Sequence, residues 1–400
     1  MSLPVVIVDR RGVARLRGGH PWIYIDHLVG SGPSAPGLVV LEGPPGRWRG
    51  IAVWNPRSRI PVRIVDLDPA AAADWQQDRD DFWRARVDHA IAQRSASLAV
   101  GEGACRWVFA EADGLPGLIV DRYGDVAVVQ AGCAWADSIV RPLAAHLIER
   151  HGLQGVLARH DGGFRKPEGL SEGVEVLAGT VPERIELVLA GLPRLIDVRA
   201  GQKTGTYLDQ RSNQLFAADV LKTGRRLDAF CNDGGFALQL LRAGPGPVVA
   251  VDSSESALAR LTENARLAEL DAQLDARRAN VFEHLRELEA GGEVFDGIVL
   301  DPPALAKRKA ELDSALRGYR ELNLRALRLL RTGGRLLTCS CSAQVDESLF
   351  LAVLAEAAAD AHREVRVVER RGAAACHPVR LGFPESAYLK VALLEVMRAW

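Results

Sequence analysis

Cysteine and long apolar runs are scarce in this chain of 400 residues. Its six cysteines include no Cys-x-x-Cys pair, which excludes a disulfide scaffold and favours a reduced, cytoplasmic protein. No run of about 18 apolar residues is present, so no membrane span is expected. The short apolar stretch at the start is followed by Asp9 and does not match a secretory signal. The nine histidines are scattered and form no cluster with cysteine, so no metal site is expected.

An excess of charge of one sign is also missing. The 50 basic and 51 acidic residues leave a net charge of −1, so bulk charge does not indicate a nucleic-acid partner. Only six of the basic residues are lysine, and arginine suits bidentate phosphate contacts. A compositional bias toward arginine explains the same count. At about 150 residues per domain, the length predicts two or three globular domains.

Residues 1–68 alternate short β-branched segments with glycine and proline, which predicts a small β-barrel or sandwich. Nine arginines against five acidic residues give this segment a local charge of +4. Arg15 and Arg17 lie close in sequence to Trp22, and basic groups beside aromatic rings suit RNA. A solvated charged face over an aromatic core explains these residues equally well.

Residues 69–186 read as a central α+β domain. Helical segments at 70–100 and about 135–150 flank strand-like segments, with a turn at Asp113-Gly-Leu-Pro-Gly117. From residue 187 a hairpin leads into a helix predicted at 209–222, with Asp209 as its N-cap. Nearly continuous apolar strands then alternate with helices to the end of the chain. This spacing predicts a parallel, doubly wound, Rossmann-like sheet.

Polar residues stand where the strands of this sheet end, and ligands bind at that edge. Gly234-Gly235 follows the first strand and allows close approach of a ligand to the backbone. Asp252 ends the second strand, where a carboxylate can accept from ribose hydroxyls. Asp301-Pro302 ends the fourth. The layout predicts a nucleoside site, and the absence of Gly-x-Gly-x-x-Gly favours S-adenosylmethionine over NAD.

Cys341 ends the fifth strand, and its thiol indicates the chemistry. A pyrimidine C5 is a poor nucleophile until a thiolate adds to C6, and a deprotonated cysteine can do this. Methylation of an amine needs no such cysteine. The competing interpretation is that Cys341 is inert packing, as a buried cysteine commonly is.

Several motifs, taken together, carry a family resemblance. Residues 187–400 resemble a class I S-adenosylmethionine-dependent methyltransferase, and the whole chain is similar to bacterial 23S rRNA cytosine-C5 methyltransferases with an N-terminal PUA domain. The matching stretches are RLRGGHPWIY (15–24), EADGLPGLIVDRYGD (111–125), GQKTGTYLDQR (201–211), AFCNDGGFAL (229–238), VVAVDSSESAL (248–258), FDGIVLDPPALAKRKAEL (295–312), RGYRELN (317–323), LLTCSCS (336–342) and HPVRLGFPESAYLK (377–390). The resemblance implies a PUA fold for 1–68, a central α+β domain at 69–186 and a Rossmann-like catalytic domain at 187–400.

The resemblance also implies roles for single residues. It makes Cys341 the nucleophile. Independently of the resemblance, the stiff turn at Asp301-Pro302-Pro303 makes Asp301 a candidate catalytic residue, because its carboxylate beside a nucleobase can hydrogen-bond an exocyclic amine or a protonated ring nitrogen. The implied cofactor-binding residues are Phe230, Gly234, Gly235, Asp252, Asn280, Asp301, Pro302, Tyr207 and Arg211. The implied substrate-binding residues are Lys203, Arg15, Arg17 and Trp22. Asn280 departs from the acidic residue of the family, and Cys339 is assigned to packing. Ala304 stands where other cytosine-C5 enzymes carry a second cysteine, so the base that removes the C5 proton is left unassigned.

The implied cofactor is S-adenosylmethionine, and the implied partner is 23S rRNA or a large-subunit precursor. A homodimer is compatible with the resemblance. Two other functions fit parts of the same sequence: an RNA methyltransferase acting on an exocyclic amine such as guanine N2, and an RNA-binding assembly factor without catalysis.

Overall fold

The computed structural model describes residues 3–44, 48–68, 79–97 and 103–400. The chain forms two compact units. Unit 1 comprises residues 1–187, 196–206 and 375–386, and unit 2 comprises residues 188–195, 207–374 and 387–400. The boundaries of the three predicted domains stay a prediction. Among the described residues, no helix is both long and apolar enough to cross a membrane.

Unit 1 begins with a six-stranded sheet in the order β2-β6-β5-β4-β1-β3. The strands are β1 (Val5–Val8), β2 (Trp22–Ile23), β3 (Leu28–Val29), β4 (Gly37–Gly43), β5 (Trp48–Trp54) and β6 (Val62–Asp66). Five of the predicted β segments are therefore present, and β3 adds a short sixth. The sequence analysis missed helix α1 (Arg10–Arg17), which Asp9 caps by accepting from the backbone N–H of Gly12.

A second, five-stranded sheet in unit 1 has the order β11-β10-β9-β8-β7. Its strands are β7 (Ala104–Phe109), β8 (Leu118–Tyr123), β9 (Val126–Ala131), β10 (Gly155–Arg159) and β11 (Val174–Gly179). The two predicted helices are α2 (Arg79–Ser97) and α3 (Ala134–His151); residues 70–78 and 98–100 of the first prediction lie outside the described residues. Trp83 of α2 is almost fully buried, whereas Ala85 is exposed. Strands β12 (Arg184–Leu189) and β13 (Leu192–Asp197) form the predicted hairpin.

Unit 2 contains a seven-stranded sheet in the order β16-β15-β14-β17-β18-β20-β19. The strands are β14 (Arg226–Ala229), β15 (Val248–Asp252), β16 (Leu274–Arg278), β17 (Phe295–Leu300), β18 (Leu330–Ser340), β19 (Arg363–Arg371) and β20 (Lys390–Ala399). The first five strands are parallel, which confirms the Rossmann-like prediction. Strand β20 runs antiparallel to both β18 and β19, an arrangement that the sequence analysis did not foresee.

One helix precedes the first strand of this sheet along the chain, and five more lie between its strands. They are α4 (Arg211–Val220), α5 (Gly235–Ala243), α6 (Glu255–Leu267), α7 (Val281–Ala290), α8 (Leu312–Leu329) and α9 (Glu347–Asp360). Two large clusters of buried apolar side chains, one including Ile298 and Tyr319 and the other Val299 and Leu337, pack with the sheet. Neighbouring residues of β17 thus fall in different clusters, as side chains of one strand alternate between its two faces.

The predicted N-cap role of Asp209 is wrong. Residues Leu208–Gln210 form a 3-10 turn, and Gln210 precedes α4 in the N-cap position. The Asp209 carboxylate is buried and accepts a hydrogen bond of 2.5 Å from the Tyr388 hydroxyl. The carboxylate of Asp209, which the local pattern assigned to the N-terminus of the helix, is thus bound by Tyr388, 179 positions further along the chain.

Candidate active site

Strand pairing brings the predicted site residues of unit 2 to one edge of its sheet. Ala229 of β14 is level with Leu300 of β17, and Leu300 is level with Thr338 of β18. Phe230 and Asp301 therefore leave adjacent strands side by side. Cys341 follows β18 directly after its last residue, Ser340. The carboxyl edge of the parallel strands thus carries the candidate nucleophile and the candidate nucleoside site together.

The loop after β14 is tightly wound. Phe230, Asn232 and Gly234 all have positive φ, at 68°, 46° and 88°. A Cβ atom on Gly234 would lie 2.1 Å from Cδ1 of Leu261, so no side chain fits there. A Cβ on Gly235 would lie 2.3 Å from Nε2 of Gln214. Packing therefore disfavours a side chain at either glycine, and at Gly234 the left-handed backbone conformation favours glycine as well.

Asp252 fixes the same loop from the neighbouring strand. Its carboxylate accepts from the backbone N–H groups of Asn232 at 3.0 Å and of Ser254 at 2.8 Å. It is half-buried, so part of the carboxylate edge remains accessible. Two backbone bonds hold an acceptor in a fixed orientation, as recognition of a ribose hydroxyl requires.

Aromatic side chains border this part of the site. The ring of Phe230 meets that of Phe282 edge to face, with centroids 6.4 Å apart. Asn280 is exposed and caps α7, its side-chain oxygen accepting from the N–H of Phe282 at 3.0 Å. The side-chain oxygen of Asn280, one of the implied cofactor-binding residues, is therefore engaged as a helix cap. The sequence analysis missed Phe282. Its only sequence signal was its position on the first turn of α7, the helix that follows strand β16.

The carboxylates of Asp252 and Asp301 lie near the buried Asp228 beside this loop, and their negative charge suits a positively charged ligand. Asp228 is fully buried, and burial followed by the nearby carboxylates of Asp301, Asp252 and Asp233 raises its pKa to about 8. Its Oδ2 accepts from the N–H of Ala237 at 2.8 Å. A pKa near 8 keeps the Asp228 carboxyl protonated at neutral pH. The buried side chain is therefore uncharged.

A hydrogen-bond chain holds Asp301 in place. Gln210 donates from Nε2 to Oδ1 of Asp301 at 2.9 Å, and its own side-chain oxygen accepts from Asn213 at 2.7 Å. Pro302 follows and is buried. Proline fixes its own φ, so the Asp301 carboxylate is held from both sides. Gln210 was part of a quoted motif, but its role was not predicted.

Tyr207 stands close to these acids. Burial raises the pKa of its phenol, and the charges of Asp301, Asp209 and Cys341 raise it further. The phenol is therefore protonated at neutral pH and can donate a hydrogen bond. Arg211 is half-buried on the first turn of α4, one turn of chain further on. Both residues belong to unit 2 and lie in the segment expected to border the cofactor or target base.

The thiol of Cys341 is half-buried, whereas the five other cysteines are buried. Its Sγ lies 3.9 Å from the backbone oxygen of Pro302. The next residue, Ser342, is fixed by Tyr319, whose hydroxyl is 2.9 Å from its Oγ, and by the N–H of Ala306 at 3.1 Å. Cys341 is thus held on a rigid support beside the end of β17.

Cys339 has a different environment, two residues earlier. It is fully buried within an apolar cluster, and burial raises the pKa of its thiol well above the usual value. A thiol in such surroundings stays protonated and unreactive. The structure agrees with the prediction that Cys339 is packing.

Lys390 supplies a cation beside Cys341 that the sequence analysis did not identify. It faces Ser340 across the β18–β20 pair, and its Nζ donates to the carbonyls of Ser342 and Tyr388, both at 2.7 Å. Burial lowers the pKa of Lys390 to about 8, while the neighbouring Cys341 acts to raise it. The sequence signal that could have identified Lys390 was the rarity of lysine, since only six lysines occur in the chain.

The four predicted substrate-binding residues belong to unit 1, whereas the residues described above belong to unit 2. Arg17 is exposed at the end of α1, and Lys203 is exposed in a turn with φ of 54°. Arg15 donates from Nε to the backbone oxygen of Trp22 at 3.1 Å. The indole N–H of Trp22 is donated to Glu111 at 2.8 Å, so this side chain serves the packing of unit 1.

Comparison with known proteins decides the family. A family model described as S-adenosylmethionine-dependent methyltransferase matches residues 163–381, and a PUA-like domain model matches residues 6–67. The chain belongs to the S-adenosylmethionine-dependent methyltransferases. Its cofactor is S-adenosylmethionine, and the glycine loop, Asp252 and the acidic surroundings described above fit that cationic nucleoside.

Individual methyltransferases resemble it over nearly their whole length. "Ribosomal RNA large subunit methyltransferase I" of Shewanella denitrificans is 39% identical over 377 residues, 93% of this chain and 94% of that protein. The protein of the same name from Tolumonas auensis is 38% identical over 98% of both chains. The crystal structure of SMU.776 in complex with SAH has the same fold, with a TM-score of 0.82, 17% identity, and coverage of 98% of this chain and 100% of that one.

Proposed function

We propose that this methyltransferase transfers the methyl group of S-adenosylmethionine to C5 of a cytosine in 23S rRNA. The observation that carries the proposal is the half-buried Cys341 thiol at the carboxyl edge of the sheet, beside Asp301-Pro302. The relatives named ribosomal RNA large subunit methyltransferase I support the substrate class. The PUA-like segment at residues 6–67 supports RNA as the partner.

Residues of unit 2 hold the cofactor in this proposal. The wound loop of Phe230 and Gly234 borders its methionine part, and Asp252 accepts from its ribose. Phe282 adds an apolar wall beside Phe230. When bound, S-adenosylmethionine supplies an electrophilic methyl group on a positively charged sulfur. The roles of Gly235, Asn280, Pro302, Tyr207 and Arg211 in holding it stay predictions.

The covalent step begins at Cys341. The thiolate forms a bond from Sγ to C6 of the cytosine, and the electrons of the C5–C6 double bond make C5 nucleophilic. C5 then forms a bond to the methyl carbon, whose bond to the sulfonium sulfur breaks with the electron pair going to sulfur. A base removes the C5 proton, the C5–C6 double bond re-forms, and the C6–S bond breaks to return the thiolate.

Two neighbours support these steps. The ammonium of Lys390 stabilises the Cys341 thiolate by charge, because its Nζ is anchored on the carbonyl of the very next residue, Ser342. Asp301, oriented by Gln210, accepts from the exocyclic amine or the protonated ring nitrogen of the cytosine. A charged ring nitrogen draws electrons from C6 and so assists thiolate addition.

Reaching a cytosine C6 with a protein thiol requires a single-stranded or flipped nucleotide, at a cost of a few kcal/mol. RNA contacts elsewhere in the chain would offset this cost. The exposed Arg17 and Lys203 are the candidates in unit 1. The action on 23S rRNA or a large-subunit precursor, and the possible homodimer, are further parts of this proposal.

The deciding experiment uses 23S rRNA from cells that lack this protein, labelled S-adenosylmethionine and nucleoside mass mapping. The wild-type chain should yield 5-methylcytidine, and Cys341→Ala should yield none while still binding S-adenosylhomocysteine. Cys339→Ala is the matched control and should remain active. Methylated guanosine as the product would support the amine alternative, and undiminished transfer by Cys341→Ala would exclude the covalent step.

A second assay traps the adduct. RNA in which 5-fluorocytidine replaces cytidine has no C5 proton to lose, so the bond between Sγ and C6 should persist after methyl transfer. Wild-type protein should then migrate as a protein–RNA conjugate under denaturing conditions. The conjugate should be absent with Cys341→Ala and present with Cys339→Ala.

A further inference from the structure

Helices α2 and α3 of unit 1 bring two histidines and an aspartate to one point. Nε2 of His146 and Nε2 of His151 each lie 2.8 Å from Oδ1 of Asp88. The three donor atoms are all within 4.8 Å of one another. Asp88 lies 58 positions before His146, so no local sequence pattern links them.

We propose that Asp88, His146 and His151 bind a borderline transition-metal ion such as Zn²⁺. The site is separate from the residues assigned to methyl transfer, and the inference does not depend on the proposed function. It replaces the sequence expectation of no metal site. That expectation considered only spacings with cysteine, whereas this donor set contains none.

The histidine rings are held in the orientation that ligation needs. Trp83 packs edge to face on His146, with centroids 5.7 Å apart, and Trp107 packs on His151 at 5.5 Å. The two imidazoles themselves meet edge to face at 5.9 Å. Because aromatic neighbours restrict both rings, little rotamer freedom remains to be lost when an ion binds.

The donor separation is close to that of a ligated site. Bonds of about 2.0–2.2 Å from nitrogen and oxygen to Zn²⁺ place neighbouring tetrahedral ligands roughly 3.3–3.5 Å apart. Each pair now 2.8 Å apart therefore needs to open by about half an ångström. Each neutral imidazole shifts its ring proton from Nε2 to Nδ1 as Nε2 becomes the ligand.

Access and charge are compatible with an ion. The three side chains are 32%, 13% and 18% exposed for Asp88, His146 and His151, so the site is open on one side. Three protein ligands leave a fourth position for water, as in many zinc sites. Arg150 lies 3.8 Å from the other oxygen of Asp88, but it is 69% exposed and can turn into solvent.

The donor types select the ion. Two imidazoles and one carboxylate suit Zn²⁺, Co²⁺, Ni²⁺ or Cu²⁺, whereas Mg²⁺ and Ca²⁺ prefer sites made of oxygen alone. An ion here would join the middle of α2 to the last two turns of α3. Binding should therefore stabilise unit 1.

The test uses the full chain after removal of metals with a chelator. Titration with Co²⁺, followed by visible absorption, and with Zn²⁺, followed by calorimetry, should show one equivalent bound by the wild type. His146→Gln and His151→Gln should each weaken binding by more than about 100-fold, because even loss of an outer-shell partner costs 10–100-fold. Mg²⁺ should not displace the bound ion.

His89→Gln is the matched control, since His89 is exposed and adjoins Asp88 on α2. It should bind Zn²⁺ like the wild type. Thermal unfolding in chelator establishes that each variant folds, and addition of Zn²⁺ should raise the Tm of the wild type and His89→Gln only. Absence of stoichiometric binding by the wild type, or undiminished binding by both ligand variants, would overturn the proposal.

Discussion

The Nζ atom of Lys390 lies 2.7 Å from the backbone oxygen of Ser342, the residue that directly follows Cys341. The bond joins β20 to the end of β18, and a second bond of the same length to Tyr388 leaves Nζ little freedom. A cation is thereby fixed beside the one cysteine that is not fully buried. The electrostatic effect of Lys390 on the ionisation of the Cys341 thiol can be measured without RNA, through the rate at which the thiol is alkylated.

The first prediction concerns that ionisation. Lys390→Met should raise the pKa of the Cys341 thiol, because it removes the neighbouring charge, and so should reduce the thiolate fraction and slow alkylation near neutral pH. Iodoacetamide labelling of the full chain across pH, read by peptide mass spectrometry, gives the thiol pKa directly. Lys390→Arg should retain the wild-type profile because it keeps the charge.

Lys222→Met is the control, because Lys222 is exposed in the same unit. The wild-type pKa of Lys390 is about 8, so its support for the thiolate should decline as pH rises through 8. An unchanged alkylation profile in Lys390→Met would exclude the electrostatic role. Since no methyl transfer is measured, this outcome is independent of the test of the product.

The second prediction concerns Asp228, the buried acid of β14 that precedes the loop of Phe230 and Gly234. The folded state holds the Asp228 proton up to a pKa of about 8, whereas the unfolded chain loses it near 3.8. Its contribution to stability is therefore greatest below pH 3.8 and decreases as pH rises toward 8. Asp228→Asn, which cannot ionise, should gain stability relative to the wild type between pH 5 and pH 8.

Urea unfolding at several pH values measures this difference. Asp219→Asn, at an exposed position of the same unit, should show no comparable trend. If the free energy difference between Asp228→Asn and the wild type were the same at pH 5 and pH 8, the raised pKa would be wrong.

The site residues that stand at strand ends could be predicted from the sequence. The side chains that reach the site from other segments could not. Asp252, Asp301 and Cys341 follow apolar strands, so parallel pairing alone places them at one edge. Lys390 reaches the same edge from an antiparallel strand. Its side chain is buried by tertiary packing, which has no local periodicity for the sequence to display.

Local rules failed where a distant partner or a weak pattern decided the outcome. Asp209 has the residue type and position of an N-cap, but its carboxylate accepts a hydrogen bond from Tyr388 instead. Helix α1 is only eight residues long and lies among β segments, so its apolar face, Val13 and Leu16, gave too short a period to detect. The Asp88 cluster combines two helices that the sequence predicted separately, without their register.

The third prediction separates backbone strain from steric exclusion. Gly234→Ala adds a Cβ in a left-handed conformation and within 2.1 Å of Leu261. Gly292→Ala has the same kind of strain, with φ of 70°, but meets nothing within 4 Å. The control should lose about 1–2 kcal/mol from the left-handed backbone alone.

Gly234→Ala should lose more than its control in chemical unfolding and should also bind S-adenosylhomocysteine more weakly. Gly292→Ala should bind it normally, because its position is not part of the cofactor loop. Equal losses of stability in the two variants, with unchanged binding in both, would contradict the assigned role of the loop.

The fourth prediction tests the bond between Tyr388 and Asp209. Tyr388→Phe removes the donor and leaves a buried acceptor without it, at a cost of about 1–3 kcal/mol. Asp209→Ala removes the acceptor and should also destabilise the fold. Because both variants break the same bond, the double variant should be less destabilised than the two single losses combined. Strict additivity in a double-mutant cycle would show that the residues are not coupled.

The last prediction distinguishes RNA contacts from internal packing in unit 1. Arg17 is exposed, so Arg17→Ala should leave thermal stability unchanged and weaken RNA binding. Loss of one phosphate contact should lower the slope of log affinity against log salt by about 0.7–0.9. Trp22→Phe removes the donor to Glu111 and should lower the Tm, with the salt slope unchanged. Filter binding of a 23S rRNA fragment at several salt concentrations measures both variants. Weaker RNA binding by Trp22→Phe at every salt concentration would instead place Trp22 at the RNA interface, because base stacking contributes affinity without changing the salt slope.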